Sequence, residues 1–399
     1  MPGVNESLRH NREFAALWLG QAISNLGISI SSFSYPVVVL AVTGSAVKAG
    51  AVGTVLAATA FVLRLPAGAL VDRLSRRTIL IACDLGRVLN SGLFALALAL
   101  GHFWYPHVLL VAFFEAALGV LFGPAESAAV RRVVGPERMR EAVAANASRS
   151  AVPGVLGPPL GGVLLAAGRS LPFVADAISY AASLVCILTV RSELGPERSE
   201  HRTPIADALE GLRWLLRDRF LRTALLFFMA FGLVLGSVGL VLLVLARDHG
   251  AGSGELGLMF ALTAGGGVLG ALAAPRLVGV LRPHVLMLLF AWLAAAATLS
   301  LSVLDSPIAF GLAGAVAFFF VPPLNAAVFG RIGERAPDAL QGRVTSAAIQ
   351  VASLLGPIGP LAAGLLIADL GAHDAALAYG FVVAALACAA TLSRPLREA

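Results

Sequence analysis

The sequence predicts an all-α membrane protein, with twelve transmembrane helices arranged as two six-helix pseudo-symmetric bundles. Three observations predict it. The chain of 399 residues is 58% hydrophobic and only 13% charged, whereas a soluble domain carries about 25% charged residues. Its apolar residues gather into runs near the ~20-residue length that spans a bilayer as a helix. Its basic residues fall almost entirely between alternate runs, as the loops on one side of a membrane do.

The runs cover about 14–41, 48–71, 78–100, 106–130, 142–168 and 171–190 in the first half, and 220–246, 255–280, 283–304, 307–330, 341–368 and 373–392 in the second. They are continuously apolar rather than alternating, which argues for helices against barrel strands. Many contain Gly and Pro, which bundled membrane helices tolerate. A short polar tail leads directly into the first run, so no cleaved leader is expected. Counting Lys and Arg on alternate sides gives 23 against 3, the minority being Lys48, Arg169 and Arg247. The positive-inside rule then places both termini in the cytoplasm of a cell whose inner, cytoplasmic membrane holds the protein.

The longest connection divides the chain into expected bundles at 1–190 and 220–399, with a linker at 191–219. Within it, "IADALEGLRWLLRD" puts Ile205, Leu209, Leu212 and Leu216 on one helical face, with Asp207, Glu210, Arg213 and Arg217 largely opposite. This is an amphipathic helix lying on the membrane surface, or a plain linker between bundles.

The halves resemble one another. "FGPAESAAVRRVVG" from Phe122 shares six identities with "FVPPLNAAVFGRIG" from Phe320, at an offset of 198. "GAL" recurs at Gly68 and Gly270, and "LGP" at Leu156 and Leu355, at offsets of 202 and 199. Three matches at about half the chain length, in corresponding spans, point to a six-helix unit repeated in parallel. Between spans 2 and 3 the chain reads "GALVDRLSRR", which sets Gly68, Asp72, Arg73, Arg76 and Arg77 in one short connection.

With that loop and that repeat, the sequence resembles the major facilitator superfamily over nearly its whole length. The loop matches the family signature of a Gly, an Asp-Arg four residues on, and a basic pair, except that Ser75 stands where Gly is commonest. Asp72 sits at the end of span 2, where the helix dipole disfavours an anion, so it needs partners. Arg73, Arg76 and Arg77 are local ones. The resemblance implies a distant one, the start of span 11 near Gln341, in a latch that opens during transport. Without that latch, the cluster is a topology signal.

"PGVLGPPLGGVL" in span 5 resembles the family's antiporter signature through Gly157, Pro158, Gly161 and Gly162, with Pro153 replacing the leading glycine. Gly154, Gly157 and Gly161 form a stripe that permits close helix approach, and Gly266 and Gly270 in span 8 offer a counterpart. The signature implies export; ordinary close packing is the bland alternative. The opening segment "FAALWLGQAISNLGISISSFSYPVVVLAVTGSA" resembles the drug-, macrolide- and siderophore-efflux branch.

Ionisable groups inside spans are costly and are paired or functional. Glu115 lies near the middle of span 4. It either pairs with Arg87 or Arg149 or serves as a protonatable coupling carboxylate. Glu126, Asp84 and Arg64 are expected to be structural. Gln21, Asn25 and Ser29 fall four apart on span 1. With Arg87, Arg149, Asn325 and Gln350 they could line a substrate cavity, or they could tie helices together.

Cys83, Cys186 and Cys388 lie in separate spans, and seven histidines form no ligand set, so neither disulfide, metal nor cofactor is expected. "AGGGVLGAL" in span 8 lacks the lysine of a phosphate loop, so no enzyme is expected. The scattered basic clusters exclude nucleic acid. The expected activity is secondary active export of an amphipathic small molecule by alternating access, as a monomer in the lipid bilayer with protons as coupling ion. A nutrient symporter or facilitator, and a non-transporting sensor or scaffold, are the alternatives.

Overall fold

The computed structural model describes residues 11–192, 195, 204–337, 340–393 and 396; the side chains of 69, 72, 136, 147, 148, 150, 151 and 204–208 lie outside the described set. The first half forms α1 (Arg12–Thr43), α2 (Ala46–Arg73), α3 (Arg76–Ala99), α4 (Tyr105–Val134), α5 (Met139–Ala167) and α6 (Leu171–Thr189). A short α7 (Pro204–Arg217) precedes α8 (Arg219–Asp248), α9 (Ser253–Val280) and α10 (Pro283–Ser300). Then come α11 (Pro307–Phe319), α12 (Val321–Arg335), α13 (Gln341–Ala352), α14 (Gly359–Leu370) and α15 (Ala372–Leu392). Among the described residues, eleven segments are long and apolar enough to cross a membrane, and α5 adds the shorter apolar stretch Val152–Ala167. The twelve expected spans are therefore all present as helices.

Two spans differ from expectation by being broken. Span 10 is α11 and α12, interrupted at Phe320 ahead of Pro322 and Pro323. The matching site in α4 carries one proline, Pro124, and the helix continues through it. Adjacent prolines delete successive backbone donors, so a new helix starts with them in its first turn. Span 11 is α13 and α14, joined through a 3-10 turn at Gly356–Ile358 in "LGPIGP". The matching "LGPPLGG" of α5 stays helical through Pro158 and Pro159.

The chain forms two compact units, Met1–Val38 with Val62–His201, and Val39–Phe61 with Arg202–Ala399. The end of α1 and the first half of α2 thus belong to the second unit. There Thr54 accepts the Leu361 amide at 3.1 Å. A Cβ on Gly50 or Gly364 would collide with the backbone of the opposing helix, so α2 and α14 touch through missing side chains.

In the first unit α3 packs between α4 and α6. Tyr35, Phe94 and Phe173 form a buried aromatic triad, with centroids 4.7–6.0 Å apart. Arg77 donates to the Val190 carbonyl at 2.7 Å and the Leu188 carbonyl at 3.4 Å, satisfying the end of α6.

In the second unit α9 and α11 meet through glycines on both sides. A Cβ on Gly266 or Gly270 would strike the backbone of Ala315 or Phe319, and one on Gly311 would press on Met259. Bilayer lipid gives helices no hydrophobic reason to associate, so such close packing is what holds them. Gly270→Leu should therefore destabilise the protein by about 1–3 kcal/mol or more. Thermal melting in detergent would show it, with Gly279→Leu, which meets open space, as the silent control.

The linker helix α7 docks on α13. Gly211 lies against the Arg343 backbone, Leu215 is wholly buried, and Glu210 pairs with Arg343 at 2.5 Å. The buried edge is thus displaced from the expected apolar stripe: Leu209 and Leu216 remain exposed and Leu212 is half-buried. Ile205 and Asp207 lie outside the described side chains. Asp218 then caps α8 by accepting the Leu221 amide at 3.1 Å and pairs with Arg335 at 2.5 Å. Partial burial pushes its carboxyl up, but these donors outweigh that and hold it below the usual carboxylate range.

Candidate functional site

The interior of the first unit holds a cluster of ionisable and hydroxyl groups. Arg87 lies 12 residues from the Ala99 end of α3, roughly 18 Å along the helix. Glu115 lies 10 residues from the Tyr105 start of α4, roughly 15 Å. Both are buried, at 4% and 7% exposure, and Arg87 Nε is 3.9 Å from Glu115 Oε1. The same guanidinium reaches Asp84 Oδ1 at 3.9 Å. Its Cζ lies over the rings of Phe122 and Tyr180, 5.2 and 5.0 Å from their centroids, where the ring quadrupoles favour a cation. The Tyr180 hydroxyl donates to Glu115. Gly119 on α4 makes room for all this, since a Cβ there would meet Arg87 Nη2 at 2.8 Å.

Of the two arginines weighed as partners for Glu115, Arg87 is the one beside it. Arg149 of α5 instead pairs with Glu126 at 2.7 Å, one layer along α4. Glu126 and Asp84 are thus held in ion pairs, while Arg64 is exposed on α2.

The residues expected to line a cavity divide. Gln21 donates to Ser183 at 3.2 Å and Ser29 donates to the Pro153 carbonyl at 2.7 Å, so both tie α1 to neighbouring helices. Asn25 between them is half-buried, as is Asn325. Gln350 donates to the Phe61 carbonyl at 3.2 Å, and its side-chain oxygen is buried without a partner.

The glycine motif of α5 also divides. A Cβ on Gly157 would collide with Ser29, and one on Gly161 with Phe33, so these two let α5 press on α1. Pro158 and Gly162 are buried with them. Gly154 is exposed and meets nothing within 4 Å, so the expected three-residue stripe is a two-residue one. In the loop after α2, Gly68 has open space around it, Arg73 is exposed and Arg76 is buried. The Asp72 side chain lies outside the described residues.

Two residues of the cluster escaped the sequence reading, Tyr180 and Asp176 on α6. Asp176 is wholly buried, with Oδ2 accepting from Ser91 at 3.0 Å. One signal was available: it is the lone charge in "LPFVADAISYAASLVCILT". It stands only five residues into the span, where an acid reads as interfacial.

The fold and the buried charges together define a polytopic helical membrane protein with ionisable groups in its interior. The family model of the Major Facilitator Superfamily matches residues 17–360, and the chain belongs to that superfamily. Among curated relatives, the Shigella flexneri enterobactin exporter EntS is 28% identical over 364 residues, 84% of this chain and 80% of its own. The Mycolicibacterium fortuitum multidrug efflux pump Tap is 29% identical over 400 residues, 96% of this chain and 95% of its own. Among solved structures, a bacterial homolog of the human lysosomal transporter Spinster aligns with a TM-score of 0.76 at 16% identity, over 98% of each chain. The nucleoside transporter NupG aligns at 0.74 and 13% identity, over 95% of this chain and 98% of its own. These structures share the fold. The relatives match the expected siderophore and drug efflux branch.

Proposed function

We propose that this transporter exports an amphipathic small molecule, of the drug or secondary-metabolite kind, by alternating access in antiport with protons. The observation that carries the proton is Glu115, a carboxylate 7% exposed and deep in the span, held by one arginine and one tyrosine. An ionisable group so placed marks an ion or substrate pathway more often than a fold requirement. Export is supported by the two relatives, one named for a siderophore and one for multiple drugs. Few charged groups are buried in the second unit, which suits an apolar or amphipathic cargo better than a sugar or an ion.

The protein works as a monomer in the cytoplasmic membrane with both termini inside. The bundles 1–190 and 220–399 move against each other, with 191–219 as their link. Asn25, Asn325 and Gln350 offer polar contacts to cargo. Gly68, Asp72, Arg73 and Arg76 form the gating connection. Arg77 anchors it to α6 through the Val190 and Leu188 carbonyls. Gly157, Pro158, Gly161 and Gly162 set the α1–α5 contact that the exporter signature implies.

The test is uptake of ethidium, an amphipathic cation, into proteoliposomes with an acidic lumen. Accumulation that collapses with the pH gradient is expected; equilibration indifferent to the gradient would leave a facilitator. Asp72→Asn should slow turnover on the order of tenfold, as loss of about 1–2 kcal/mol in only one state of the cycle would. Membrane insertion and yield should be unchanged. Normal turnover would reduce Asp72 to a topology marker.

A further inference from the structure

Among the described residues, the interior carboxylates Asp84, Glu115, Glu126 and Asp176 outnumber the two arginines that pair with them, Arg87 and Arg149. Glu126 has its own partner, Arg149. Asp84, Glu115 and Asp176 share Arg87, which lies 3.9 Å from the first two. Asp176 has no salt bridge among the described residues. Its Oδ1 is buried and accepts no hydrogen bond, and it faces the α1 backbone at Gly27, where a Cβ would stand 2.9 Å away.

The groups facing Asp176 come from four helices. They are Ser31 and Tyr35 of α1, Ser91 and Arg87 of α3, Glu115 of α4, and Tyr180 on its own helix. The Tyr35 hydroxyl is also buried without a hydrogen-bond partner. An ionised carboxylate would want several donors, and this site offers the hydroxyl of Ser91 and that of Ser31, which is shared with the Ile28 carbonyl. A carboxylic acid needs no counter-charge there. No group of side chains among the described residues is arranged to hold a metal ion in its place.

We propose that Asp176 is a second proton site of the transporter, carrying a proton while Arg87 counters Glu115 and Asp84, and sharing the coupling role with Glu115. This rests on the proton-coupled reading above. The step is a proton transfer alone: when the rearranging cluster brings the guanidinium to Asp176, Asp176 releases its proton to water and Glu115, left without its cation, takes one up; both transfers reverse when Arg87 returns to Glu115. Charge in the cluster then stays nearly constant through the cycle, which is what an apolar interior requires.

The purified full chain in detergent at neutral pH should show the infrared carbonyl band of a protonated carboxylic acid, shifting in heavy water. Asp176→Asn should lose one component of that band. Ser91→Ala, which removes the hydroxyl from Oδ2, should shift the component without removing it, and Asp176→Glu should restore an acid component. In proteoliposomes with an acidic lumen, Asp176→Asn should lose at least tenfold of the ethidium accumulation driven by the pH gradient. A wild-type protein with no such band overturns the proposal whether or not the variants fold. So does a folded Asp176→Asn with an unchanged band, or with undiminished accumulation. If the wild type itself ignores the pH gradient, the antiport reading fails instead, while loss of the band in Asp176→Asn would still place a proton on this residue.

Discussion

Arg87→Met should cost more stability than any other single substitution in the first unit. The change keeps length and apolar volume but leaves Asp84 and Glu115 buried with no cation, each having been 3.9 Å from the guanidinium. Removing one partner of a buried ion pair costs about 3–5 kcal/mol because the other charge is left uncompensated. Here more than one is left. Low yield and a sharply lowered melting temperature in detergent are expected. The Arg87→Met, Glu115→Gln double variant should recover part of the loss, since one stranded charge is then gone. Arg87→Lys should fall between, because an ammonium keeps the charge but not the planar group lying over Phe122 and Tyr180. An Arg87→Met protein that melts like the wild type would show that the carboxylates need no counter-charge, and that they are neutral together.

Particular residues show how much of this was legible. The spans were legible because apolar runs of bilayer length have one stable form in lipid, in which the backbone satisfies itself. The repeat was legible through "FGPAES" and "FVPPLN", but its structural outcome was not. One proline is carried within α4 where two break span 10, and the same "LGP" runs on as helix in α5 and opens at Gly356. Proline effects depend on what the neighbouring helix supplies to the freed carbonyls, and that is tertiary information.

The charged cluster was half legible. Glu115 and Arg87 announced themselves by depth, since a charge in mid-span must be met by something. Which arginine met which glutamate was not in the sequence. The α4 helix presents Glu115 and Glu126 eleven residues apart, about three turns, so both point the same way. Only the placement of α3 and α5 sends Arg87 to one and Arg149 to the other. Asp176 was passed over for a related reason. Its position along its own helix carries no information about its burial, which Gly27 and Ser91 on two other helices decide. On α7 it is Gly211, with no side chain to count as apolar, that marks the face docked on α13.

Glu115→Gln should do the opposite of Arg87→Met, sparing stability and removing function. Arg87 keeps Asp84 at 3.9 Å, so no cation is stranded, and the Tyr180 hydroxyl can still donate to the amide oxygen that replaces Oε1. The cluster loses one of its surplus anions, and melting should stay within a few degrees of the wild type, equivalent to less than about 1 kcal/mol. A glutamine cannot bind and release a proton, so the exchange of proton for cargo should uncouple. In proteoliposomes with an imposed pH gradient, ethidium accumulation should fall at least tenfold, while downhill exchange of the same probe continues near the wild-type rate. The pairing of these two readouts separates the alternatives. If Glu115 only neutralises Arg87, stability should drop and both transport modes should fall together with the amount of folded protein. If Glu115 couples transport, only the uphill mode should disappear. A stable Glu115→Gln protein that still accumulates ethidium against a gradient would remove Glu115 from the mechanism.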